Sequence, residues 1–352
     1  MSAHRVAVIA GDGVGPEVVA QARRAVEATG VEIAWTELPW GSDHYHRTGR
    51  MMPADALATL RGHDAILLGA VGDPSVPDHI SLWELLLALR QGLDLWANVR
   101  PAQLLPGVPG PLAGRAPGEV DMLFVRENTE GEYAGVGGRV HAGLAGETGI
   151  EVSVFTRPAV ERVVRFAFER AEERRGRLTS ATKSNASRYG YVLWDEVVAE
   201  VAADHPGVEV DSVLVDALAA RMVRDPGSLD VVVASNLFGD VLTDLAAALQ
   251  GGMGVAASAS LAPGSDAPPL FEPVHGSAPD IAGRGVANPI GCLWSAQLML
   301  EQLGEPEAAA ALRAAIAAVC RQGPRTRDLG GTASTAEVGD AVVRAVEAAP
   351  VR

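Results

Sequence analysis

Residues 230–245 read Asp-Val-Val-Val-Ala-Ser-Asn-Leu-Phe-Gly-Asp-Val-Leu-Thr-Asp-Leu. The apolar, β-branched run 230–234 fits a strand buried on both faces. Asn236-Leu237-Phe238-Gly239 then turns the chain into a helix that carries Asp240 and Asp244. Residues four apart share one helix face, where two carboxylates repel each other by a few tenths of a kcal/mol even when exposed. Leu237, Val241 and Leu245 form a neighbouring apolar stripe, expected to set the helix against a core. A hard divalent cation, Mg²⁺ or Mn²⁺, resolves the repulsion, because such ions favour oxygen ligands and leave positions open for substrate oxygens. A solvated acidic helix face explains the same pair without any ligand, and for such a pair taken alone it is the commoner outcome. Asp216, at the end of the apolar run Val213-Leu214-Val215, completes a three-carboxylate set if the fold or a second subunit brings it near.

Outward from this segment, strand-like runs at 5–10, 64–69, 121–125 and 210–215 alternate with helical periods at 16–28, 157–175, 188–203 and 292–303, the pattern of an α/β protein. Pro and Gly cluster at 105–118 and 262–269, which reads as loops, and the Ala-rich 307–318 reads as a helix. The 352 residues, 48% hydrophobic and 21% charged, suffice for one large core or two ordinary ones, and composition alone marks no domain boundary. A net charge of −15 speaks against nucleic acid or an anionic membrane surface as a partner. No stretch approaches the ~20 apolar residues of a membrane span. The opening Met1-Ser2-Ala3-His4-Arg5 runs directly into a strand, without the pattern of a secretory leader. Cys292 and Cys320 lack any Cys-x-x-Cys spacing and fit small helical residues in a reducing cytoplasm.

Gly11-Asp12-Gly13-Val14-Gly15-Pro16-Glu17 lies between a strand and a helix, with Glu32 downstream where a ribose-binding acid would fall. It is not a Rossmann fingerprint, because Pro16 stands where the third glycine should pack helix on strand. Pro16 and Glu17 suit a helix N-terminus instead. A tight structural turn explains the glycines at least as well as contact with a ligand. Arg90, Arg100 and Arg126 offer planar, permanently charged forks for substrate carboxylates, although each taken singly fits a surface ion pair. Lys183, in Ala181-Thr182-Lys183-Ser184-Asn185, and Tyr133 are candidate acid/base groups if they converge on the metal.

Taken together, these residues resemble the isocitrate and isopropylmalate dehydrogenase family, the β-decarboxylating dehydrogenases, from Val6 to about Val338. The signature-like stretch is 236–254, ending Gly251-Gly252-Met253-Gly254. Phe271-Glu272-Pro273-Val274-His275-Gly276-Ser277-Ala278-Pro279-Asp280 resembles the family's adenine-nucleotide loop, which takes the place of a Rossmann motif. The resemblance implies an isopropylmalate-dehydrogenase-like fold, two α/β domains around a mixed parallel and antiparallel sheet. A nucleotide-binding domain of 1–98 plus 250–352 and a substrate, metal and dimerisation domain of 99–249 follow from it. It further implies a homodimer with shared sites. Asp240 and Asp244 would bind Mg²⁺ or Mn²⁺ with Asp216 from the partner subunit. Lys183, also from across the dimer, would take the hydroxyl proton, and Tyr133 would return one to C3. Arg90, Arg100 and Arg126 match positions that hold substrate carboxylates; His275, Gly276, Ser277, Ala278 and Asn288 match the adenosine loop. Asp280-Ile281 stands where NADP-using relatives carry Lys-Tyr, and a carboxylate accepts a ribose 2′-hydroxyl but repels a 2′-phosphate, so NAD is the expected cofactor.

The expected substrate is a small 2-hydroxy diacid. Trp40-Gly41-Ser42-Asp43, Met51-Met52-Pro53-Ala54-Asp55, Val76-Pro77-Asp78-His79, Ser184-Asn185 and the 126–133 segment are similar to the D-malate and tartrate dehydrogenase branch, which favours D-malate, with tartrate also accommodated. Leu86 and Leu87 leave room for a small apolar C3 group and keep 3-isopropylmalate as an alternative. A non-catalytic nucleotide-binding homologue is the reading from another class, but it should show a damaged acid/base set, whereas Lys183, Tyr133 and all three aspartates are present. A hydride transferase without decarboxylation would need a substrate lacking the β-carboxylate, against the chemistry of the resemblance.

Overall fold

The structure, a computed structural model, describes residues 3–348, so Met1 and Ser2 of the opening segment lie outside the described residues. Its strands are β1 (His4–Gly11), β2 (Ile33–Glu37), β3 (Ala65–Ala70), β4 (Ala97–Gln103), β5 (Asp121–Glu127), β6 (Gly131–Val140), β7 (Thr148–Val154), β8 (Arg177–Thr182), β9 (Glu209–Leu214), β10 (Val231–Ala234), β11 (Ala257–Leu261) and β12 (Leu270–Pro273). Two compact units share the chain. The first takes the residues up to Leu95, Arg100–Val120 and everything from Ala246; the second takes Trp96–Val99 and Asp121–Leu245.

In the first unit the strand order is β2-β1-β3-β12-β11. β1 runs parallel to β2 and β3, β12 runs parallel to β3, and only β11 reverses, against β12. Val6–Ile9 and Ala65–Leu68 are buried throughout, which is why these strands read as unbroken apolar runs rather than as alternation. The helix Gly15–Glu27 covers them with Val18, Val19, Ala22, Ala25 and Val26 at three- and four-residue spacing. Helix Ile290–Gln302 is buried almost all round, and Thr335–Glu347 starts on a capping box between Ser334 and Glu337. Cys292 and Cys320 are buried free thiols in helices; burial pushes them up to about 12 and about 11.

Residues 100–120 belong to this unit, whereas the expected boundary placed them with 99–249. Packing explains the difference. Leu104, Leu105 and Val108 are buried, a side chain at Gly107 would strike Cys320 and Arg321, and the Gln103 amide donates to Gln250 Oε1 at 2.8 Å.

The second unit orders its strands β5-β10-β8-β9, all parallel. Helix Arg157–Glu172 buries Val160, Val163, Val164, Phe166, Ala167 and Phe168, and helix Gly190–Ala202 contributes Trp194, whose indole donates to Ser180 Oγ at 2.9 Å. β6 and β7 form a separate antiparallel ribbon that leaves Val136, Val140, Ile150 and Val152 exposed, with Leu144 exposed between the strands.

The apolar stripe expected to hold the Asn236–Leu249 helix does not do so. Val241 is 61% exposed and Leu237 and Leu245 are only half-buried, while Leu242, Thr243, Ala246 and Ala247 are buried. The helix is rolled so that its buried row lies one position C-terminal to the stripe, and small Ala and Thr side chains on that row let it seat closely.

The glycine-rich turn owes its composition to packing. At Gly13 φ is +57°, and a Cβ would come within 2.0 Å of the Ser277 carbonyl oxygen, which already accepts the Val14 amide at 2.9 Å. Asp12, buried beside it, accepts the Ser42 amide, the Ser42 hydroxyl and the Gly72 amide, each at 2.8 Å. Replacing Asp12 by Asn turns a donor toward buried donors and should cost about 2–3 kcal/mol, lowering the thermal midpoint by roughly 5 °C. A calorimetric midpoint unchanged in Asp12→Asn would contradict this role.

Candidate active site

In the second unit, Arg126, the penultimate residue of β5, pairs in register with Ala234, the last residue of β10. The Arg126 side chain is 1% exposed, and its Nε and Nη2 both donate to Asn236 Oδ1, at 3.1 and 2.7 Å. Its Nη1 donates to Asp240 Oδ1. Gly239 makes the room, because a Cβ there would lie 2.5 Å from Arg126 Cγ. Tyr133, on β6, donates its hydroxyl to Asp240 Oδ2 at 3.3 Å and lies under the Arg126 guanidinium, 5.6 Å from ring centroid to Cζ. Burial, and then the Asp240 charge, hold the Tyr133 phenol above its ordinary value, so it stays a proton donor at neutral pH. Arg126, Tyr133 and Asp240 thus form one constellation, and Asp244 follows one turn along the same helix, exposed.

Lys183 and Asp216 form a second pair, Nζ to Oδ2 at 2.9 Å. Asp216 is held below the usual carboxylate range, first by its hydrogen bond from Lys183. It sits in the first turn of the Val215–Arg224 helix, where the helix dipole favours an anion. Among the described residues, no three of His, Cys, Asp and Glu are placed to hold a metal together, so the chain by itself does not bring Asp216 to Asp240 and Asp244. Asp240 and Asp244 fit a hard cation, with two oxygen donors on one helix face, the first still partly open to solvent at 39% side-chain exposure. One chain supplies only part of a coordination set.

In the first unit a cleft of about 640 Å³ is lined by His275, Ala278, Asp280, Ile281 and Asn288, five of the residues expected to bind the cofactor. Gly276 and Ser277 are not in its lining. Ser277 instead anchors the loop to Val14, and the Gly276 carbonyl lies 2.9 Å from His275 Nδ1. That contact makes Nδ1 the protonated nitrogen, and burial lowers the ring below its ordinary value, so His275 is neutral. Ala278 takes a left-handed conformation at φ +42°, a bend that starts the Ala278–Ile281 turn. Val14, Gly254, Arg284, Val286, Ala287, Arg327 and Asp328 complete the wall. Val14 was legible as part of a turn able to meet a ligand. Arg327 and Asp328 carried no local signal, since they arrive from more than thirty positions further along the chain.

The remaining expected residues are placed less simply. Arg90 is buried and its Nη2 donates to Glu272 Oε1 at 2.7 Å, while its Nε has no partner. Arg100, on β4, is buried too. Of the two leucines expected to bound the substrate, Leu87 is 2% exposed and belongs to the core, whereas Leu86 is half-buried. A π-helical turn over Leu82–Leu86 causes this, because its extra residue shifts the register and leaves Leu82 and Trp83 exposed.

The family model for isocitrate/isopropylmalate dehydrogenase matches residues 5–342. A probable tartrate dehydrogenase/decarboxylase of Agrobacterium vitis is 50% identical, with 98% of each chain covered. A D-malate dehydrogenase [decarboxylating] of Escherichia coli is 47% identical over 98% of this chain and 99% of that one. A 3-isopropylmalate dehydrogenase of Thermobifida fusca is 48% identical over 97% of both. The crystal structure of isocitrate dehydrogenase from Methylococcus capsulatus superposes with a TM-score of 0.90 at 36% identity, covering 98% of this chain and 99% of that one. The chain therefore belongs to the isocitrate/isopropylmalate dehydrogenase family, which uses a divalent metal and NAD(P), and it is a decarboxylating dehydrogenase of that family.

Proposed function

We propose that this enzyme oxidises and decarboxylates D-malate to pyruvate and CO₂, with tartrate as a second substrate, using NAD⁺ and Mg²⁺ or Mn²⁺. The observation that carries the reading is the convergence of Arg126 and Tyr133 on Asp240, a carboxylate clamp and a protonated phenol at one candidate metal ligand. Similarity to both the tartrate and the D-malate enzymes supports the substrate.

In this reading the first unit is the nucleotide-binding domain and the second holds the substrate and metal. Asp240 and Asp244 would hold the cation with Asp216 of the partner subunit, and the ion would supply Lewis-acid chemistry there. Arg126 orients a substrate carboxylate by bidentate donation. Lys183 of the partner subunit exchanges Asp216 for the C2 hydroxyl and takes its proton, and NAD⁺ in the first unit would supply the two-electron oxidant for C2. The C3–carboxylate bond then breaks, CO₂ leaves, and its electron pair forms the enolate of pyruvate. Tyr133 delivers a proton to C3, which closes the balance. In the cofactor cleft, Asp280 accepts the 2′-hydroxyl of NAD⁺ and disfavours the phosphate of NADP⁺.

The homodimer belongs to this proposal. The partial coordination set within one chain supports it, as do the exposed apolar residues of the β6–β7 ribbon and Val241 on the Asn236–Leu249 helix. The two free thiols support a reducing, cytoplasmic setting.

Steady-state rates with D-malate, tartrate, 3-isopropylmalate and isocitrate, each with NAD⁺ and Mn²⁺, test the substrate. D-malate should give the highest kcat/KM; a maximum on 3-isopropylmalate transfers the assignment to that acid. Asp280→Lys with Ile281→Tyr should move the NAD⁺/NADP⁺ preference toward NADP⁺ by at least about tenfold, roughly 1.4 kcal/mol, and an unchanged ratio in competition assays rules the ribose argument out. Lys183→Ala and Asp240→Asn should each lower kcat by about a hundredfold or more. Mixed into heterodimers they should regain activity, because one of the two mixed sites is intact. Heterodimers that form, as seen by native mass spectrometry, yet stay inactive would exclude a shared site.

A further inference from the structure

Glu132 immediately precedes Tyr133, and its carboxylate reaches three groups of the second unit. Oε2 accepts the Leu237 amide at 3.0 Å, one of the free N–H groups at the start of the Asn236–Leu249 helix. Oε1 accepts the Tyr191 hydroxyl at 2.7 Å and the Ser235 hydroxyl at 3.2 Å, and those two hydroxyls lie 2.6 Å apart. The Ser235 hydroxyl also takes the Phe238 amide at 3.5 Å, and the Ser235 carbonyl takes that of Gly239 at 2.8 Å. Tyr191 is buried at the start of the Gly190–Ala202 helix, its ring stacked on Phe238 with centroids 4.7 Å apart. On the other side of the same helix start, Asn236 Nδ2 donates to the Glu130 carbonyl at 3.0 Å. The chain on either side of Glu132 is therefore fastened to the helix that bears Asp240, from below by Asn236 and from above by Glu132.

We propose that Glu132 is a positioning residue: with Tyr191 and Ser235 it locks the strand bearing Tyr133 to the first turn of the Asp240 helix, so that the phenol is held at the reacting carbon. The inference rests on Tyr133 being the proton donor. Geometry makes the case for a positioning function rather than simple capping. A cap needs only the Leu237 amide, whereas Glu132 spends its second oxygen on two hydroxyls, that of Ser235 just before the helix and that of Tyr191 on the separate Gly190–Ala202 helix. Both hydroxyls are buried or nearly so, and the Tyr191 phenol is raised well above its ordinary value by burial, so it remains a donor to the carboxylate. Neighbours in sequence, Glu132 and Tyr133 contact helix positions three residues apart, Leu237 and Asp240. A slip of the strand by one residue would move both contacts together.

Glu132→Gln and Tyr191→Phe test this in the full-length enzyme, with the fastest of the four acids above, NAD⁺ and Mn²⁺. Each should lower kcat by about tenfold to a hundredfold with KM for NAD⁺ unchanged. In a Tyr133→Phe background neither should lower kcat further, because the group they position is gone. Hydrogen exchange of the 234–241 segment, measured without metal or substrate, should quicken in Glu132→Gln. Tyr191→Phe loses a single hydroxyl and serves if Glu132→Gln fails to fold. A normal kcat in both variants, losses that multiply with that of Tyr133→Phe, or unaltered exchange would each overturn the proposal. A normal kcat in Tyr133→Phe itself would instead overturn its assignment as the proton donor.

Discussion

The Arg126 guanidinium, buried and split between Asn236 and Asp240, is the constraint on which the second unit's chemistry depends. A charge with almost no exposure must find partners, and two of them lie on one helix, at its first residue and one turn later. A roll of the helix would break both contacts, and Gly239 is the residue that lets the guanidinium stem approach. Tyr133 then finds Asp240 already oriented. The roll that leaves Val241 exposed keeps this ion pair and buries Leu242, Thr243, Ala246 and Ala247 in place of the apolar stripe.

Most polar groups of the second unit that are buried near this point form a connected set. Glu132, Tyr191, Ser235 and Asn236 satisfy the helix start, while Glu127, buried and raised by desolvation, accepts the amides of Thr129 and Glu130 and so shapes the loop into β6. Satisfied networks of this kind rigidify what they join. The geometry of this candidate site is carried by polar contacts of side chains with one another and with the backbone.

The first unit solves a different problem. Its cleft is built without a Rossmann motif, from two loops that pack closely on each other. Gly13, by lacking a Cβ, lets the turn approach Ser277, Ala278 bends the second loop with a left-handed backbone, and the Ser277 carbonyl ties the two loops together through the Val14 amide. The glycine-rich turn at 11–15 has a structural duty to the 275–280 loop, and Val14 also lines the cleft that the loop forms.

The amino-acid sequence determined the α/β alternation, because fully buried parallel strands must be apolar on both faces and the helices between them must carry an apolar stripe. It also determined the residue types of the site, since carboxylates, arginines, a lysine and a tyrosine in signature spacing are local facts. Tertiary structure alone decided which of them meet. Arg126 reaches Asp240 across more than a hundred residues, Asp216 goes to Lys183 and not to Asp240, and Leu87 turns into the core because of a π-turn whose extra residue leaves no mark in composition. Strand register and helix roll fix such contacts, and both are settled by packing and by buried charges seeking partners, which act at distances along the chain that no local pattern records.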